Sequence, residues 1–175
     1  MRNWVRPRQQ SGAPIASRYR AAVLGLMFCA GCQASTSPED LDEPLLDSFG
    51  RGELSIVTAT AEHHFSVYIA DSPEERRQGL QFVQSLPADA GMLFISESSG
   101  RQSMWMKNTE LPLDMLFVDA AGIVDRIAAN TTPKSLKSIA SDGNVCCVLE
   151  LNAGTAKRLG IEAGDRLVHP HFPKP

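Results

Sequence analysis

Short polar–apolar alternations divided by Gly, Pro, Asn and Asp turns predict a mainly β single domain. The expected form is a β-sandwich or a partly open, jelly-roll-like barrel with two short helices. Three observations carry this reading. From Leu54 to Ala70 the side chains alternate, with Phe65, Val67 and Ile69 on one side and His64, Ser66 and Tyr68 on the other, as a half-buried strand requires. From Val145 to Leu151 the chain is apolar but for Glu150, the pattern of a strand buried on both faces. Helix signals are confined to two brief stretches, near 72–79 and 154–159.

The chain has 175 residues, room for one folded unit with a real core. Its formal charge of −3 conceals an asymmetry. Arg2, Arg6, Arg8, Arg18 and Arg20 fall in the first 32 residues, which hold no acid; beyond them, twelve basic side chains face twenty acidic ones, a net of −8. A domain of that sign repels phosphate backbones, so no nucleic-acid partner is expected.

The arginine-bearing start leads into the apolar segment 21–28, the order of a secretory signal peptide and too short to span a bilayer. It ends in Cys29-Ala30-Gly31-Cys32, which resembles a bacterial lipoprotein cleavage box, although Cys29 stands where that box usually has leucine. Residues 1–32 are thus expected to be a leader, with Cys32 lipidated and the membrane a partner through its acyl chains. Gln33 after the cysteine resembles the sorting signal for the outer membrane, which implies the periplasmic face of the bacterial envelope. Residues 33–53, rich in Ser, Pro, Asp and Glu, read as a flexible acidic tether. Alternatively Leu45, Leu46 and Phe49 dock on the domain as a short first element.

The β-rich domain is expected over 54–170, with a short tail at 171–175. Strands are predicted near 54–60 and 64–70. Ser72-Pro73-Glu74-Glu75 is a capping-box helix start, and Gly79 is placed to end that helix. An apolar run follows from Met92 to Ile95, then a polar turn, then a strand through Trp105. Strands near 113–118 and 123–128 flank the turn Asp119-Ala120-Ala121-Gly122. The segment 130–144 reads as the longest irregular loop, where binding groups tend to sit. After the strand at 145–151, a helix is stopped by Gly160, and a last strand ends before Pro170. No internal repeat is present.

Five motifs in this order resemble one family. They are GMLF at 91–94, WMKNT at 105–109, PLDMLFVD at 112–119, VLELNAG at 148–154, and the Gly160-Ile161 and Gly164-Asp165 pairs. They are similar to domain of unknown function 192, over about Leu54 to Val168. The resemblance implies a small, β-rich, jelly-roll-like domain of bacteria and archaea, often exported, and implies no activity. Gln81 departs from the family pattern, which has methionine after the Gly79-Leu80 pair.

The densest chemistry lies at 104–119. Asp114 and Glu150 each share a strand face with apolar neighbours, so each must be paired, hydrogen-bonded or protonated. The candidate ligand-binding residues are Trp105, Lys107, Asn108, Thr109, Asp114, Glu150 and Asn152. Asp114 and Glu150 are expected to meet Lys107 and Asn108 at one end of the sheet, with Trp105 as wall; an indole beside amides and acids suits sugars and peptides. The plainer alternative is that these groups cap turns and that Lys107 neutralises Asp114.

The leading expectation is an envelope lipoprotein whose domain binds a small ligand, glycan or protein partner without catalysis. One alternative is a glycan hydrolase using Asp114 and Glu150 as acid and base. Another is a Cu(I) binder using Met92, Met104, Met106 and Met115, since thioethers favour that ion. No cofactor, zinc spacing, phosphate loop or nucleophile elbow is legible. Cys146 and Cys147, as strand neighbours, are expected on opposite faces as separate buried thiols, and His169 and His171 as a solvated tail.

Overall fold

Alternation and turn chemistry produce the elements in the order α1 (Glu43–Leu46), β1 (Gly50–Val57), β2 (Glu62–Ala70), α2 (Pro73–Gln78), β3 (Ala90–Gly100), β4 (Ser103–Met104), β5 (Leu113–Val118), β6 (Val124–Ala128), β7 (Ile139–Ala140), β8 (Val145–Asn152), α3 (Thr155–Leu159) and β9 (Arg166–Val168). The computed structural model describes residues 43–174. The expected leader with Cys32, the first part of the expected tether at 33–42, and Pro175 lie outside the described residues. Among the described residues no helix is long and apolar enough to cross a membrane.

Seven strands form one sheet in the order β6-β5-β8-β3-β2-β1-β9, and β4 with β7 makes a separate ribbon. In the large sheet only β2 and β3 run parallel, which is why a crossover through α2 separates them. The sheet curls until its edges meet at one corner. Ile123 bridges Arg166, Leu167 N–H donates to the Gly122 carbonyl at 2.7 Å, and Val124 N–H donates to that of Asp165 at 2.9 Å. Of the two expected architectures this is the partly open barrel, a half-barrel of one curled sheet. At the corner Gly122 has φ +82°, and a Cβ there would lie 2.7 Å from the Leu167 oxygen, so only glycine permits the approach.

The two faces bury different layers. Inside the curl, Leu54, Phe65, Leu93, Leu116, Leu149 and Leu167 meet in one core, to which both edge regions contribute. Outside it, Met92, Phe94, Met115, Phe117 and Val148 form a second layer, covered by Leu46, Phe49, Leu80, Val83, Leu86 and Met106. That covering explains the first departure from expectation. Leu46 and Phe49 are buried while Leu45 is exposed, so the docked alternative holds for two of its three residues, and β1 already begins at Gly50, inside the expected tether. A second departure is Trp105, which lies beyond the end of β4, and a third is β7, which pairs with β4 inside the expected loop.

The cysteines also depart from alternation. The β3–β8 register slips between Ile95 and Gly100, opposite Cys146. Val145 and Val148 belong to the outer layer, whereas Cys146 and Cys147 both belong to the inner core. The extra residues are on β3, where 96–99 lie opposite Cys146 alone, and at this irregularity the alternation of β8 breaks. The two thiols stand 2.8 Å apart, not on opposite faces.

Candidate functional site

The outer layer is not sealed everywhere. A cleft of about 120 Å³ opens where α2 and the turn after it approach the 103–109 segment, with Glu150 in its lining. The capping box sets α2: Ser72 Oγ accepts from Glu75 N–H at 3.2 Å, and Glu75 accepts from Ser72 N–H at 2.9 Å. Gly79 ends it at φ +48°, where a Cβ would meet the Phe94 ring at 3.0 Å. Arg76, Arg77, Gln78 and Gln81 thereby line one wall. Met104, Trp105, Lys107 and Thr109 line the other.

Glu150 is 4% exposed and lies in register with Met92 on β3 and Met115 on β5, both fully buried. Among the described residues no hydrogen bond or ion pair reaches its carboxyl, and burial alone pushes its pKa up to about 8. At neutral pH the group is therefore mostly a neutral acid, able to donate. Trp105 is 53% exposed, with the Lys107 ammonium 5.3 Å from its ring centroid. Arg76 is held by the carbonyls of Asp71 and Ile95.

Four of the seven expected residues, Trp105, Lys107, Thr109 and Glu150, thus come together. Asn108 stands just behind them. Its φ of +55° suits asparagine, its amide donates to Gln81 Oε1 at 3.0 Å, and its carbonyl accepts from Phe82 N–H at 2.8 Å. Asn152 is elsewhere, its amide donating to the carbonyls of Leu86 at 2.8 Å and Pro87 at 3.1 Å.

Asp114 does not join the site. It pairs with Leu151, whereas Glu150 pairs with Met115, so the two acids point to opposite faces of the sheet. Asp114 is fully buried, and its two oxygens accept from Asn130 N–H and Ala156 N–H, each at 2.9 Å. The second bond caps α3, whose own Gly154 offers no side-chain cap. Lys107 is not its counterion. The expected convergence is therefore corrected, and the glycan hydrolase loses one of its two carboxylates. The Cu(I) alternative fares similarly: Met92, Met106 and Met115 are fully buried, Met106 sulfur accepts from Thr131 Oγ1 at 3.2 Å, and of the four sulfur residues only Met104 lines the cleft.

The wall from α2 was missed by sequence reasoning. The adjacent cations Arg76 and Arg77 were within a legible helix, but nothing local tells which strand they face. Gln81, which departs from the family pattern, ties this wall to Asn108 through its side chain, next to the backbone bond from Phe82.

A family model described as "Uncharacterized ACR", DUF192, matches residues 55–169. No curated protein matches the chain. Among solved structures, a protein of Sinorhizobium meliloti 1021 with the provisional designation transcription regulator is 42% identical, with a TM-score of 0.70, covering 71% of this chain and 98% of that one. A protein of unknown function from Novosphingobium aromaticivorans DSM 12444 is 33% identical, with a TM-score of 0.66, covering 67% and 84% respectively. The family match takes in all five motifs and runs from within β1 to the end of β9, and the chain belongs to the domain of unknown function 192 family.

Proposed function

We propose that this is an exported protein, anchored through Cys32, whose half-barrel binds a small anionic ligand, such as an acidic sugar or another carboxylate, in the cleft at Glu150. The single observation that carries the ligand reading is a buried acid without a partner at the floor of a cleft whose walls carry Arg76, Arg77 and Lys107. Among the described residues the Glu150 carboxyl has no protein partner and opens to the cleft, whereas the chain supplies Asp114 with two backbone donors. Protonated, Glu150 donates to a ligand oxygen, while the cations attract the ligand's charge. The open face of Trp105 suits the apolar side of a sugar ring just outside so small a cleft. The anchor reading rests on the arginine-bearing leader and the box before Cys32. The acidic balance of the domain argues against a nucleic-acid partner; the regulator designation belongs to the relative.

Calorimetric titration of the full chain with glucuronate and glucose tests the ligand reading. Glucuronate should bind more tightly than glucose, and more weakly as pH rises above about 8, where Glu150 ionises and repels it. Glu150→Gln should remove the pH dependence, and Trp105→Ala should weaken binding by about 1 kcal/mol or more. Equal binding of both sugars, or no response to either substitution, would overturn the proposal. Cys32→Ser should release the protein from membranes; continued retention sinks the anchor.

A further inference from the structure

On the opposite side of the sheet from Glu150, where the β3–β8 register shifts, Cys146 and Cys147 come to one side with their sulfurs 2.8 Å apart. The tail folds back over them. Phe172 is buried beside Gly122, its N–H donates to the His169 carbonyl at 2.9 Å, and the His171 ring lies edge-on to Phe172 at 5.3 Å. Phe172 thus docks the tail, while His171 itself stays exposed, as expected of it. A donor atom from each of Cys146, Cys147 and His171 lies within 4.8 Å of the other two. We propose that these three residues bind a thiophilic metal ion of the zinc type.

The donor set carries this. Two sulfurs and one imidazole nitrogen select soft or borderline cations over magnesium or calcium, and three protein ligands leave one position for water. An open cleft of about 490 Å³ reaches Cys146 and His171 and admits both ion and water. On a tetrahedral ion about 2.3 Å from each sulfur, the sulfurs stand about 3.8 Å apart, so the thiols must spread by about 1 Å. Binding replaces two S–H bonds with two metal–sulfur bonds and releases both protons to solvent. Burial raises the pKa of both thiols, so only a strongly thiophilic ion displaces those protons. Packing alone gives no reason for two thiols on one side, and a disulfide between strand neighbours would close a strained ring.

The test uses the full chain, reduced and freed of metal by a chelator, then titrated with Zn(II) against a chromophoric competitor. One ion should bind per chain, Co(II) should give sulfur-to-metal charge-transfer absorption, and bound Zn(II) should shield both thiols from alkylation. His171→Ala, at an exposed position, should weaken Zn(II) by at least about tenfold, the loss usual even for groups behind the ligands. Cys146→Ser should abolish the charge-transfer band, and Glu150→Gln should leave it unchanged, separating this site from the cleft. Zn(II) binding no tighter than in the double serine variant, an unchanged affinity in His171→Ala, or thiols already joined as a disulfide would each overturn the proposal. Should the cysteine variants fail to fold, His171→Ala with the alkylation assay decides alone.

Discussion

Glu150 and Asp114 are both buried acids on adjacent strands, yet their surroundings make them opposites. Asp114 satisfies two backbone donors, one of them at the start of α3. Glu150 satisfies none, and its pKa moves from 4.5 to about 8. Because the folded form holds its proton more tightly than the unfolded chain, this group favours folding least at high pH. Its penalty is absent below about 4.5, grows through the window up to about 8, and is then constant. Glu150→Gln should therefore leave stability almost unchanged near pH 4 and raise it increasingly up to pH 8, by at most about 1.4 kcal/mol per pH unit. Urea unfolding at several pH values measures this. A gain that does not vary with pH would show that Glu150 is partnered in solution.

Helix α2 is short, yet with the turn that follows, it forms one wall of the cleft, so its capping box supports the site as well as the fold. Hydrogen bonds from Ser72 hold the Glu75 pKa below its ordinary 4.5, so the box is complete above that value and comes apart as pH falls through the lowered one. Ser72→Ala should cost about 1 kcal/mol in denaturant unfolding and also weaken glucuronate binding, since Arg76, Arg77 and Gln78 lose their fixed placement. A helix loss without a binding loss would detach α2 from the site. At this scale the sequence was most readable. The capping box, the strand at 113–118 and the buried run ending in Leu151 are all set by nearest neighbours, and each forms where expected. Alternation also places Asp114 and Glu150 each among apolar residues, but strand register decides whether two such faces coincide, and register is a long-range property. The same limit applies to the cysteines: a bulge is invisible until the partner strand is known. The site was legible where one segment supplies it, in Trp105, Lys107 and Thr109, and illegible where α2 supplies it.

For the whole molecule, closure of the half-barrel depends on the corner at Gly122. Gly122→Ala combines a left-handed backbone, which costs an alanine about 1–2 kcal/mol, with a contact against the Leu167 oxygen that must be relieved by opening the corner. The expected result is a lower melting temperature and faster amide exchange at Val124 and Leu167, whose N–H groups bond across the seam. Unchanged exchange there would mean that the edges are not joined in solution. The place of β8 has a consequence in time. It sits between β5 and β3, strands that precede it in the chain, so the sheet has a gap at its middle until residues 145–152 arrive. Pairings over such sequence distances form slowly, because a long loop must close before any bond rewards it. Until β8 docks, β3 and β5 have no common neighbour, so the two halves of the sheet are joined in a single event that fixes the places of Glu150 and of both thiols together.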